Sequence, residues 1–220
     1  MSLFGNIPAL LKPPSDLRFT VGAVLFYDHD VLDLNGPLHF FGGSGQFEIK
    51  TIAETKEPVA NCGGTHTLVT HTFDEDTEFD FLFIPGAGPR GLLDLSQNER
   101  VVAYVKKVAP RMKFIFSVCT GALPLALAGV LDGHKATTNK MMFEFVAKRG
   151  TNVHWQPKAR WVHDGNIITA SGVSAGMDAA LHILEHLNGK EYAQMRADVA
   201  EYEWHSDPSF DPFAEKAGLV

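Results

Sequence analysis

The chain has 220 residues and a mass of 24.1 kDa, with 45% hydrophobic and 20% charged residues, which suits one globular domain with a sizeable core. Its net charge of −7, from 19 Lys and Arg against 26 Asp and Glu with no basic run, argues against nucleic acid as a partner. No stretch approaches the roughly 18 apolar residues of a membrane span, so no membrane partner is expected either.

In chain order, residues 1–17 read as an N-terminal extension. They lack a basic leader and are interrupted by Pro8, Pro13 and Pro14, which excludes a secretory signal and makes a cytoplasmic protein the expectation. The run FTVGAVLFY (19–27) predicts a strand buried on both faces of a parallel sheet. Residues 28–37 read as a turn and loop in which Asp28 and Asp30 are solvated, and LHFFGG (38–43) as a short helix closed by its glycines. QFEIKTIAE (46–54) alternates as a second strand, and residues 65–72 as an edge strand or hairpin arm. FDFLFIPGAG (79–88) is a buried strand delivering a glycine-rich loop. In NERVVAYVKKVAP (98–110) the valines fall at helical spacing behind Asn98 as N-cap. KFIFSVCTGALPLALAGVLDG (113–133) gives a strand, a small-residue turn around Cys119, and a helix. Strands recur in 160–165 and 166–172, and SAGMDAALHILEHL (174–187) is an amphipathic helix stopped at Gly189. This alternation predicts an α/β fold, a three-layer sandwich with a mostly parallel central sheet covered by helices on both faces.

Cys119 stands where a buried strand turns into a helix, the arrangement of a nucleophile elbow. Ser117, Thr120, Gly121 and Ala122 are small enough to let the chain turn tightly, and helix N-terminal N–H groups there predict an acidic thiol. The carboxyl edge of the sheet, where it stands, is where open α/β folds place ligands. Cys62, in Asn61-Cys62-Gly63-Gly64, reads as a loop thiol without a catalytic role, and two such dissimilar cysteines give no disulfide framework. Leu32 and Leu34 predict that Asp33 is partly buried, where desolvation raises its pKa. His182 and His186 are four apart on one helix and are expected to face solvent, with no third metal ligand readable. Arg90 is the one arginine beside these motifs, which favours a neutral ligand.

The segments LFYDHDVLDLNGP (25–37), FLFIPGAGPRG (81–91), FSVCTGALPLALAGVLDGHKATTNK (116–140) and DGNIITASGVSAGMDAALHIL (164–184) resemble, in order and spacing, the DJ-1/PfpI superfamily. The resemblance implies a flavodoxin-like domain over 18–190, with 191–220 as a C-terminal helix and tail packed on it, and a homodimer. Within that superfamily the LDL-x-GP loop is most similar to the isonitrile hydratase branch, which adds water to an isocyanide without metal or organic cofactor. The resemblance makes Cys119 the nucleophile and Asp33 the group that handles water and protons, with the Thr120 hydroxyl bonding the reacting group. It makes the loop at Gly86 and Ala87 a source of N–H groups for an oxyanion site with the residues after the cysteine, including Gly121. An apolar pocket lined by Phe40, Phe41 and residues after Thr138 is expected over the thiol. Where amidase-like relatives have a His after the cysteine this chain has Thr120, and Asn139 follows the Ala-Thr-Thr segment where many others have one. A Cys-His dyad for amide hydrolysis is therefore not expected. An oxidation sensor built on Cys119, or a glyoxalase-like enzyme, are the alternatives. A DNA-binding module of the kind regulatory relatives carry is not expected in residues 191–220.

Overall fold

The computed structural model describes residues 12–220, so residues 1–11 of the expected extension lie outside the described part. A seven-stranded sheet is built from β1 (Phe19–Val24), β2 (Phe47–Ala53), β5 (His71–Thr72), β6 (Phe81–Ile84), β7 (Phe114–Val118), β10 (Trp161–Asp164) and β11 (Ile167–Ala170). Two small ladders lie outside it, β3 (Val59–Ala60) with β4 (His66–Thr67), and β8 (Lys135–Ala136) with β9 (His154–Trp155). The strand order is β10-β11-β7-β6-β1-β2-β5, parallel throughout except that β10 and β11 pair antiparallel.

The helices are α1 (Val31–Gly42), α2 (Leu92–Gln97), α3 (Glu99–Val108), α4 (Ala122–Leu127), α5 (Phe143–Ala147), α6 (Ala175–Asn188), α7 (Lys190–Val199) and α8 (Phe213–Lys216). Alternate residues of the strands divide between two cores, as a period of two requires. Val21, Ala23, Phe81, Phe83, Phe116 and Val118 pack with α1, α6 and α7. Val24, Ile52, Leu82, Ile84 and Ile115 pack with α3 and α4. The first core is aromatic: Phe41 lies 4.8 Å from Phe47, and Phe83 stacks on Phe116 at 5.0 Å between ring centroids. Each such buried ring contributes on the order of 1.5–3 kcal/mol.

One stretch differs from the sequence expectation in kind. Residues 31–37 are not loop; they are the first two turns of α1. Asp30 is the reason: its Oδ1 accepts from the N–H of Leu32 at 2.9 Å and of Asp33 at 3.2 Å, an N-cap that starts the helix seven residues early. Pro37 sits inside that helix. Asp28 is likewise not solvated. It is fully buried, at φ 57°, and its carboxylate takes the backbone N–H groups of Arg90 and Gly91 and two bonds from the Arg90 guanidinium. Desolvation pushes that carboxyl up, but Arg90 and the two amides together hold it below its usual value. Asn98 caps α3 as expected, accepting from Val101 N–H.

Candidate active site

Three chain segments meet at the carboxyl edge of the sheet, where the strand order turns back between β1 and β6. The segment after β1 supplies Asp33, the loop after β6 supplies Gly86 and Ala87, and Cys119 follows β7 directly. Cys119 holds φ 58°, a left-handed backbone that costs a non-glycine residue of order 1–3 kcal/mol. Its neighbours fix it there: Cys119 N–H donates to Ser171 O at 2.9 Å, and Thr138 Oγ1 donates to Cys119 O at 2.8 Å. Cys119 is itself the first residue of a 3₁₀ turn, Cys119–Gly121, that leads into α4. Gly121 has no space for a Cβ, because the carbonyl of Ile84 occupies it.

Gly86 passes through the middle of the site. A Cβ there would lie 2.5 Å from Asp33 Oδ2, 2.8 Å from Cys119 Cβ and 2.9 Å from Thr120 N, so only glycine lets the three groups close around it. Its N–H donates to Asp33 Oδ2 at 2.9 Å. Asp33 Oδ1 is buried with no N–H or O–H partner among the described residues. Cys119 thus stands beside this carboxyl across Gly86, and the Thr120 N–H and the Asn139 amide are the groups that favour its thiolate.

Two expectations are corrected here. The thiol is not acidic. Cys119 is only 6% exposed, and burial pushes it well above the usual thiol range, with the Asp33 charge adding to the rise and the Thr120 and Asn139 donors opposing it. Nor do the N–H groups of the β6 loop open onto an anion site. Gly86 N–H is taken by Asp33, and Ala87 N–H donates to Thr120 Oγ1 at 2.9 Å. Burial, and secondarily Asp30, pushes the Asp33 carboxyl well above its usual value. Burial thus shifts both groups toward their protonated forms, and the Asp33 charge opposes ionisation of the thiol. Asp33→Asn removes the charge that raises the thiol, so the pH midpoint for alkylation of Cys119 is expected to fall in that variant. A midpoint that stays put or rises contradicts the assigned coupling.

The pocket is only in part where the sequence puts it: residues after Thr138 line a cleft, but two expected lining residues do not. Phe40 and Phe41 are core residues, 1% and 0% exposed. A cleft of about 340 Å³ lies instead among Leu32, Asn139, Met141, residues 171–174 and Phe213 of the C-terminal segment. Asn139, Lys140 and Met141 are the expected residues after Thr138, whereas the tail is a site element that sequence reasoning passed over. His29 was passed over as well. It is buried, with Nδ1 3.0 Å from Phe26 O and Nε2 3.0 Å from Thr67 Oγ1, and it ties the β3–β4 arm to the loop before α1. His182 does not face solvent with His186: its Nε2 lies 3.0 Å from Nδ1 of His163, while His186 is exposed. Cys62 donates to Asp30 Oδ2 at 3.5 Å. Among the described residues no group of three His, Cys, Asp or Glu is placed to hold a metal, and no helix is long and apolar enough to cross a membrane.

A strained cysteine between strand and helix, facing a buried carboxyl at the switch point of a doubly wound sheet, defines an α/β protein of the cysteine-elbow class. The chain belongs to the DJ-1/PfpI family, which it matches over residues 20–186. It is 30% identical over 186 residues to an isonitrile hydratase of Pseudomonas putida, spanning 84% of this chain and 79% of that protein. It is also 30% identical over 146 residues to a deglycase of Thermococcus kodakarensis, spanning 66% and 81%. A solved ThiJ/PfpI family protein of Pseudomonas syringae superposes with a TM-score of 0.79 at 31% identity, over 93% of this chain and 82% of that one.

Proposed function

We propose that the protein hydrates a small neutral isocyanide to the N-substituted formamide, using Cys119 as nucleophile and Asp33 as proton carrier. The observation that carries this reading is the juxtaposition of the buried Asp33 carboxyl and Cys119 across Gly86, with no histidine among the groups that act on the thiol. The similarity to an isonitrile hydratase over most of both chains supports it.

In this reaction the sulfur bonds to the terminal carbon of R–N≡C while the thiol proton passes through Asp33 to that same carbon, giving R–N=CH–S–Cys119. Water then adds to the thioimidate carbon, one of its protons going to nitrogen. The C–S bond breaks, the remaining proton returns through Asp33 to sulfur, and R–NH–CHO leaves. A raised carboxyl suits this chemistry because the rise brings a carboxyl closer to neutral pH, where one group can serve as acid and then as base. Thr120 Oγ1 accepts from Ala87 N–H, which leaves its own proton to bond the reacting group or the water. Gly86 N–H orients Asp33, and Gly121 allows the elbow to close on β6. Arg90 is bound to Asp28 and offers no counter-charge to an anionic substrate, which supports a neutral one.

The cytoplasmic setting expected from residues 1–17 and the homodimer implied by the resemblance belong to the same proposal. Wild-type protein with cyclohexyl isocyanide in ¹⁸O-water is expected to release N-cyclohexylformamide carrying ¹⁸O. Absence of the formamide overturns the reading.

A further inference from the structure

We propose that the C-terminal segment selects the substrate: Phe213 walls an apolar cleft beside Cys119 that takes the hydrocarbon arm of a neutral small molecule. The inference rests on the hydratase reading only for the identity of the reacting group.

Two lining residues of the cleft, Asn139 and Ser171, adjoin Cys119: the Asn139 amide acts on the thiol, and the Ser171 carbonyl takes the Cys119 N–H. Around it three large apolar side chains stand outward, Leu32 44%, Met141 73% and Phe213 47% exposed, from α1, the segment before α5 and α8. Lys140 is its one charged lining residue, and that amine points into the protein, donating to Thr137 Oγ1 and to Ala159 O. The cleft thus offers contact area to a hydrocarbon and no free charge to an ion.

Phe213 is placed there by buried polar groups. Its N–H donates to Asp211 Oδ1 at 3.0 Å, and Asp211 N–H donates to Lys158 O at 2.8 Å. Asp211 is 1% exposed and lies 3.9 Å from the Arg160 guanidinium, while Arg160 N–H donates to Pro208 O at 2.8 Å. Burying such charges returns little stability compared with an apolar core. Their return here is a tail held in one position against the cleft.

The test uses a Cys62→Ser background, in which Cys119 is the remaining thiol, and compares alkylation by iodoacetamide and by its N-benzyl derivative. Phe213→Ala is expected to lower the benzyl-to-plain rate ratio about tenfold, the effect of losing some 55 Å² of apolar contact. Met141→Ala is expected to lower it less, with the plain rate within twofold in both. A ratio unchanged in both variants overturns the proposal. So does a Phe213→Ala protein whose sedimentation shows a lost dimer while the ratio holds, since the face is then a contact between copies. Alkylation needs no turnover: a protein inert to isocyanides that keeps the benzyl preference, and loses it in Phe213→Ala, refutes the hydratase reading and upholds the cleft.

Discussion

Cys119→Ala is expected to reduce isocyanide hydration to the uncatalysed rate, and Asp33→Asn to lower kcat by about 10²–10⁴-fold while making the remaining thiol easier to ionise. The second half separates two roles that Asp33 could play. If the carboxyl did no more than raise the thiol, its removal would give more thiolate and a faster reaction. In the proposed cycle the proton that Asp33 carries must reach carbon in the first step and sulfur in the last, and an amide cannot carry it. Loss of rate together with a lowered alkylation midpoint therefore identifies proton transfer as the contribution of Asp33. Equal or higher kcat in Asp33→Asn removes it from the mechanism. Asn139 contributes differently: it donates to the sulfur in a position where a histidine could have accepted a proton, so it can hold a thiolate but cannot create one.

The strands around this site were legible because the parallel sheet buries both faces, and runs such as FLFI have no polar alternation to mislead. The elbow was legible for a related reason, since a strand ending in Ser-Val-Cys-Thr-Gly-Ala leaves few other ways to turn. The segment after β1 was not. Asp28, Asp30 and Asp33 are one residue type within six positions, and the structure gives them three unlike tasks: a buried partner for Arg90, a helix cap, and the carboxyl at the thiol. Pro37 lies inside the helix, a position proline seldom takes. The acidity of Cys119 was misjudged because local sequence shows the amides of a following helix but not the depth at which the sulfur sits. The tail's share in the site depends on residues 50 or more apart, such as Arg160 beside Asp211 and Phe213 lining one cleft with Leu32, and no local pattern encodes these.

Arg160→Met is expected to destabilise the fold by about 3–5 kcal/mol at neutral pH, read as a lowered urea midpoint, because it strands a buried carboxylate. Arg160 binds Asp178 Oδ2 through Nε at 2.7 Å and Nη2 at 2.6 Å, and Tyr202 O–H and His205 N–H donate to Oδ1 at 2.9 and 3.0 Å. Asp178 is fully buried, and desolvation already pushes its carboxyl above the ordinary 3.8 in spite of Arg160. Without the guanidinium that rise grows. An acid whose folded pKa exceeds its unfolded one favours the fold where it is protonated, and that benefit is lost as pH rises through the folded value. The deficit of Arg160→Met is therefore largest at neutral pH and narrows on acidification toward 3.8, where Asp178 becomes neutral in both states. A deficit that stays constant across this range assigns the loss to packing of the Arg160 stem instead. Because the same guanidinium stands beside Asp211, whose carboxylate holds the Phe213 N–H, a folded Arg160→Met protein at moderate pH is expected to have lost its preference for the benzyl reagent as well.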